Sequence, residues 1–242
     1  VFLHVFPAEE EPTLPVGEVR LLGRPGVGGL PNELVRRGWG AWAPGDVLSA
    51  RLEPRDTGLA DPVLPAHTAC SFLIDCEEPA VRELAASFRS ASNLASDELV
   101  AFVSEHIEKK SYGRGFDVAS VVATRKEGDC TEHATLLAAL ARSRGLPARV
   151  VLGLALVRLP GGPPQAFGHA WTEIYEQGRW TTQDAALHGI LAPPAEEGTK
   201  PVRVDYLPLQ VITDEGPGFG KQLLSGANVL QMRGVQVPSR SE

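Results

Sequence analysis

The chain has 242 residues, 43% of them apolar and 22% charged, with a formal charge of -7 and a pI near 5.4. That length suits one large domain or a core with a substantial appendage, and the apolar content excludes a disordered chain. The negative balance argues against a nucleic-acid or anionic-membrane surface, because such partners need a positive field to release counterions.

The apolar run Val1 to Phe6, interrupted by His4, is too short for a signal-peptide core or a spanning helix, so no membrane insertion is expected of these residues. The chain starts with Val rather than Met, and the want of an export signal settles nothing about compartment. Residues 1–75 are rich in Pro and Gly, with short extended pieces at Val19 to Leu22, Val47 to Leu52 and Ser71 to Ile74. They read as a mainly β region of unknown role. Gly26, Gly28 and Gly29 read as a turn, since no strand-glycine-helix context surrounds them. Three cysteines, Cys70, Cys76 and Cys130, cannot all pair. Cys70 and Cys76 flank Ser-Phe-Leu-Ile-Asp; six residues of strand would hold their Cα atoms about 20 Å apart, beyond disulfide reach. Both are therefore expected as free, small, buried apolar residues.

From Pro79 the period becomes helical, with Val81, Leu84, Ala85 and Phe88 on one face behind Glu77, Glu78 and a first-turn proline. A second helix is expected from Asp97 to Lys110, capped by Ser96, with Leu99, Val103 and Ile107 on one stripe and Lys109-Lys110 at its negative end. A short helix should follow over 117–124. The strongest helical signal runs from Cys130 to Arg144 and stops at Gly145 and Pro147. Ala148 to Val157 reads as a buried strand and Pro160 to Pro164 as a breaker-rich loop. His169 to Glu176 and Arg179 to Asp184 read as strands of a hairpin meeting at Gln177-Gly178. Beyond Leu191, Val202 to Val211 is the best strand candidate, and Gly220-Lys221 lacks the neighbours of a phosphate loop.

Cys130 falls in the first turn of its helix, where unpaired N–H groups and the positive dipole end favour a thiolate over a thiol. It shares a stripe with Ala134, Leu137 and Ala141, so its sulfur should point toward the packed side, and Gly128 permits a close backbone approach just before it. In the hairpin, His169, Trp171, Glu173 and Tyr175 alternate onto one face. A turn centred between Glu176 and Gln177 puts Asp184 opposite His169; one centred on Gln177-Gly178 puts it opposite Trp171 and diagonal to His169. Either register allows contact, and an Asp beside a His fixes the tautomer and stabilises the imidazolium that a cysteine nucleophile needs. A zinc set of Cys130, His133, His169 and Asp184 is disfavoured, because Cys-x-x-His inside a helix lacks knuckle spacing. No metal site is expected. His4, His67, His106 and His188 show no partner, Glu132 and Glu173 read as polar-network or surface acids, and Trp171 and Trp180 as core or as walls that exclude water.

These residues resemble the transglutaminase-like superfamily, in particular its bacterial members with a papain-like core. The segment Arg125-Lys126-Glu127-Gly128-Asp129-Cys130-Thr131-Glu132-His133-Ala134 looks like the family's nucleophile segment, and Gly145-Leu146-Pro147-Ala148-Arg149 like its exit from helix to strand. The run from His169 to Tyr175, then Gly178-Arg179-Trp180 and Asp184, resembles its His and Asp strands. The resemblance covers roughly residues 72–190 and departs at Ala185-Ala186, where many relatives carry Pro and Thr or Ser. It implies an α+β fold with helices on an antiparallel sheet and the nucleophile at a helix N-terminus. The implied domains are an N-terminal β region to residue 75, a catalytic core over 76–190, and a C-terminal extension over 191–242 whose strands pack on the core. It also implies Cys130 as nucleophile, His169 as general base and acid, Asp184 as the orienting residue, and Tyr112 with the Cys130 backbone N–H as oxyanion donors. Trp171 and Gly168 are expected at the substrate cleft, which the loop from Leu159 to Gly168 should border.

The reaction expected is acyl transfer through a thioester on a protein or peptide substrate, without a cofactor. Hydrolysis is favoured over crosslinking to an amine because no amine site is legible; a peptide- or cell-wall-binding module is the third reading. The resemblance implies a periplasmic or extracellular setting, and nothing in the residues sets an oligomeric state.

Overall fold

The computed structural model describes residues 2–7, 18–23, 37, 40–43, 47–51, 61–89, 96–112, 115–191, 202–212 and 232–237. The N-terminal part contributes strands β1 (Phe2–Pro7), β2 (Glu18–Gly23), β3 (Gly40–Ala43) and β4 (Val47–Arg51). Then come α1 (Pro79–Ser87), α2 (Ser96–His106), β5 (Lys109–Lys110), α3 (Ala119–Arg125), β6 (Glu127–Gly128) and α4 (Cys130–Ser143). The chain continues through β7 (Ala148–Arg158), β8 (Gln165–Glu176), β9 (Arg179–Gln183), α5 (His188–Leu191), β10 (Arg203–Val211) and β11 (Met232–Val237). The glycine-rich turn at 26–29 and Gly220-Lys221 lie outside the described residues.

The main sheet runs in the order β10-β7-β8-β1-β11-β2-β4-β3, with β9 also paired to β8. Its pairs are antiparallel except β1 with β11. Helices pack on β7 and β8 through α4, so the α+β expectation holds. Among the described residues no helix is long and apolar enough to cross a membrane.

The centre of the core is α4, where Leu136, Leu137, Ala138, Ala139, Leu140 and Ala141 are all 0% exposed. A helix buried around its circumference needs partners on every side, and α1, α2, α3, β7 and β8 supply them. Each fully buried leucine adds about 1.5–3 kcal/mol relative to an exposed one. Its polar residues are bonded rather than solvated. Arg142 donates from Nε and Nη2 to Ala148 O (3.0 and 2.8 Å) and from Nη1 to Ala69 O (2.8 Å), so it ties the helix end to β7 and to the chain before α1. On the other side of β7, Gly153 leaves no room for a side chain: a Cβ there would lie 2.1 Å from Leu207 O and 2.6 Å from Trp171 Cη2.

Three expectations are corrected. First, α2 ends at His106, four residues early, because Lys109-Lys110 pair as β5 with Glu127-Gly128 of β6. Lys109 then meets Glu127 at 3.1 Å, and His106 donates from Nε2 to Ala123 O at 2.8 Å. Second, β8 begins at Gln165, so the breaker-rich loop is confined to 159–164 and Gly168 is a sheet residue opposite Leu154.

Third, Ser71 to Ile74 is a bend, and Cys70 and Cys76 form a disulfide with Cα atoms 5.2 Å apart. Ser71 N donates to Ile74 O (3.0 Å) and Cys76 N to the same oxygen (2.9 Å), which folds the segment back on itself. The fold-back has a use. Val118 cannot cap α3 with its side chain, and Asp75 does so from the disulfide loop, accepting from Ser120 N at 2.8 Å and Ser120 Oγ at 2.5 Å. Closing so short a loop should stabilise the fold by about 2 kcal/mol. Replacing Cys70 and Cys76 together by Ser is expected to lower the urea midpoint accordingly; an unchanged midpoint would show that the cross-link contributes nothing.

Candidate active site

Cys130 is the first residue of α4, and the local sequence fixes it there. Asp129 is the N-cap: its Oδ1 accepts from Thr131 N at 2.9 Å, while Glu132 reaches back so that Oε2 accepts from Asp129 N at 3.0 Å. Glu132 is 0% exposed, and its second oxygen accepts from Asp117 N at 3.1 Å, which holds the chain before α3 against the helix start. Burial pushes the Glu132 carboxyl up, against the pull of these backbone donors and the Thr131 hydroxyl. Gly128 must be glycine for this packing, since a Cβ would lie 2.3 Å from Glu132 Cβ.

The hairpin opposite is set by a two-residue turn. Glu176 pairs with Arg179, and Gln177 (φ 53°) and Gly178 (φ 83°) both take the left-handed conformation that suits such a turn. This is the second of the two registers read from the sequence: Thr172 pairs with Gln183, so Asp184 follows the end of β9 at the level of Trp171, diagonal to His169. In the described pairings β8 has β9 beside it over 172–176 and β1 over 166–167. His169 lies in the interval between them. Thr172 Oγ1 donates to Ala134 O at 2.8 Å and anchors the first turns of α4 to β8 beside that interval.

There His169 donates from Nε2 to Asp184 Oδ2 at 2.8 Å, with the two residues 6% and 1% exposed. That bond leaves Nδ1 as the uncommitted ring nitrogen, and the Cys130 sulfur lies close enough to His169 to help hold its proton. Tyr206 of β10 donates to the same Asp184 Oδ2 at 2.7 Å, and Leu187 N to Oδ1 at 3.0 Å. Burial alone would drive the proton off His169. The Asp184 charge and hydrogen bond, with the Cys130 sulfur, outweigh it and push His169 up to about 10. Asp184 is held low against its own burial by His169, Tyr206 and the Leu187 amide.

Residues 82–185 match the core of the transglutaminase-like superfamily, a span that contains Cys130, His169 and Asp184. This segment belongs to the transglutaminase-like superfamily. Among solved structures the chain is similar to a candidate cysteine protease from Cytophaga hutchinsonii (19% identity, TM-score 0.43, 71% of this chain and 67% of that one). It is also similar to the periplasmic domain of TgpA from Pseudomonas aeruginosa (22%, TM-score 0.40, 59% and 54%) and to a TGase (21%, TM-score 0.32, 53% and 35%). The chain thus spans about half of the TgpA domain. No curated protein matches it.

The other expected site residues of the transglutaminase-like core fall elsewhere. Tyr112 is 81% exposed, so no enclosing wall holds its hydroxyl toward an oxyanion, although Ser111 N is tied to Gly128 O at 3.2 Å close to the helix start. Trp171 is 1% exposed and packs with Val151, Ala155, Tyr206 and Val211 behind His169, offering no face to a substrate. His133 donates from Nδ1 to Asp129 O at 2.5 Å. Among the described residues no group of three or more His, Cys, Asp or Glu side chains is placed to hold a metal ion. His67 accepts from Leu64 N at 3.0 Å and meets the Trp180 ring edge-on at 4.8 Å. The sequence reading missed Tyr206, which β10 brings to Asp184 from 22 residues away, and the Leu187 amide, a local contact three residues on.

The histidines give the core a defined pH response. His133 and His67 are each pushed down to about 4, chiefly by burial. The unfolded chain therefore binds protons that the folded one refuses, and stability should fall as pH drops from about 6.5 toward 4. His169 works in the opposite sense: its contribution is fully present below about 6.5 and is lost as pH rises toward 10. The urea midpoint should therefore peak near pH 6.5. His169→Gln should flatten the alkaline limb and His133→Asn the acid one; a profile unaltered by either change would refute these assignments.

Proposed function

We propose that the chain is a cysteine-dependent acyl-transfer enzyme acting on peptide or amide bonds and using water as acceptor. In this reading Cys130 is the nucleophile, His169 the general acid and base, and Asp184 the residue that orients His169. The observation that most supports it is the buried Nε2 to Oδ2 bond of 2.8 Å, which commits one ring nitrogen of His169 to Asp184 and leaves the other for a sulfur that stands at a helix start and acts on the same ring. His169 keeps its proton to about 10, so an imidazolium held by the Asp184 carboxylate is already formed at neutral pH. A cation beside a sulfur at a helix start is the setting in which a cysteine acts as nucleophile.

Attack of the sulfur on the carbonyl carbon forms the C–S bond and an oxyanion, for which the Cys130 backbone N–H at the open end of α4 is the available donor. Collapse breaks the C–N bond, and the leaving amine takes the His169 proton. The neutral imidazole then removes a proton from water as its oxygen attacks the thioester, and the acid product leaves with the Cys130 sulfur restored as thiolate beside imidazolium. Cys130 is the partly accessible member of the three, as a group that must meet substrate should be.

Alkylation by iodoacetamide tests the reading, because Cys70 and Cys76 are joined and Cys130 is the remaining thiol. Labelling should persist well below pH 7 and lose that persistence in His169→Gln. Peptides should then be cleaved by the wild type and not by Cys130→Ala. Incorporation of a labelled primary amine into a glutamine-bearing protein would replace water by an amine as acceptor, and slow labelling without turnover would point to a binding module.

A further inference from the structure

We infer that Tyr206 is a positioning residue of this site, and that the functional unit therefore extends past the matched segment to include β10. The inference rests on the proposed Cys130 and His169 pair and adds to it the group that sets the carboxylate behind that pair. Residues 82–185 carry the family likeness and end one residue after Asp184. Tyr206 lies 22 residues beyond Asp184, on a strand that reaches the site only by pairing with β7, where it stands opposite Ala155.

Three features distinguish it from ordinary core. Tyr206 is 6% exposed, and its hydroxyl donates at 2.7 Å to the same Asp184 oxygen that accepts from His169 at 2.8 Å. Its ring stands 5.1 Å from the Trp171 ring and 6.4 Å from that of His169, so the phenol is held by packing and cannot swing away from the carboxylate. Two donors on one oxygen compete: each bond the phenol makes to Oδ2 reduces the negative charge available to the imidazolium. The phenol therefore fixes the orientation of the carboxylate and moderates its hold on the His169 proton. A tyrosine that only filled space would do neither.

Two substitutions of nearly unchanged shape should move the site in opposite directions. Tyr206→Phe removes the donor and keeps the ring, so the carboxylate should hold the proton more tightly. The low-pH limb of Cys130 alkylation by iodoacetamide should then move down, and the His169 imidazole resonance titrate higher, by about half a pH unit or more, the scale of a lost charge-assisted bond. Placing 3,5-difluorotyrosine at 206 makes a stronger donor of the same size and should shift both readings the other way. Should Tyr206→Phe fail to fold, the fluorinated protein carries the test alone. If the wild-type profile depends on His169 and the folded Tyr206 variants superimpose on it, the inference is overturned while the proposed function stands. A wild-type profile indifferent to His169→Gln overturns both.

Discussion

Asp184→Asn is expected to lower kcat/KM for peptide cleavage by a factor on the order of 10³ to 10⁴, as loss of the orienting carboxylate does in comparable triads. The reason lies in the number of donors. Asp184 accepts from His169 Nε2 and Tyr206 Oη on Oδ2, and from Leu187 N on Oδ1. Asparagine has one oxygen: if its NH2 takes the Oδ1 place it faces the Leu187 N–H, a buried clash of donors that costs about 1–3 kcal/mol. If the NH2 takes the Oδ2 place, His169 must turn Nε2 into an acceptor, the wrong tautomer for the reaction. The negative charge that holds the proton on His169 is gone as well. The imidazole should become neutral at assay pH, and the low-pH labelling of Cys130 should vanish with it. Steady-state kinetics and alkylation rates on the same preparation check this; an Asp184→Asn protein that keeps more than a tenth of the wild-type kcat/KM would remove Asp184 from the mechanism.

The second large effect concerns stability. Glu173 is 3% exposed and lies between two guanidinium groups: Arg37 donates to Oε1 at 2.8 Å and to Oε2 at 3.2 Å, and Arg149 Nε donates to Oε2 at 2.7 Å. Burial would raise this carboxyl, but the charges of Arg37 and Arg149 keep it low. Arg149 also meets Asp61 at 3.1 Å and lies 4.1 Å over the Trp180 ring. Removing the shared carboxylate from such a network should cost about 3–5 kcal/mol. For a chain of this size that corresponds to a fall in Tm of roughly 10 °C. Glu173→Gln measured by calorimetry gives the value, and combining Glu173→Leu with Arg37→Met should recover part of the loss. A Tm within 2 °C of wild type, about what a 1 kcal/mol change produces, would mean that these charges contribute no net stability.

The features legible in the sequence were those written locally. The start of α4 is specified within four residues by Asp129 and Glu132, and the hairpin by Gln177-Gly178, so Cys130, His169 and Asp184 could be brought together on paper. Periodicity left the register open between two solutions, and the left-handed pair at the turn decided it. Where composition imitated a pattern, the reading failed. Ser71-Phe72-Leu73-Ile74 is apolar enough for a strand, yet Leu73 and Ile74 are both buried while Phe72 is 74% exposed, a bend's distribution rather than an alternation. Tyr206 and Arg37 left no local trace, because their roles depend on partners 22 and 136 residues away in the chain.

The tight contact at Gly153 bears on how this site could be retuned. A methyl group placed there would collide with the main chain at Leu207, the neighbour of Tyr206, and with the indole packed behind His169. Any enlargement would therefore push on the aromatic backing of His169 from the rear. For directed evolution, that position is a mechanical adjustment screw set at its innermost stop.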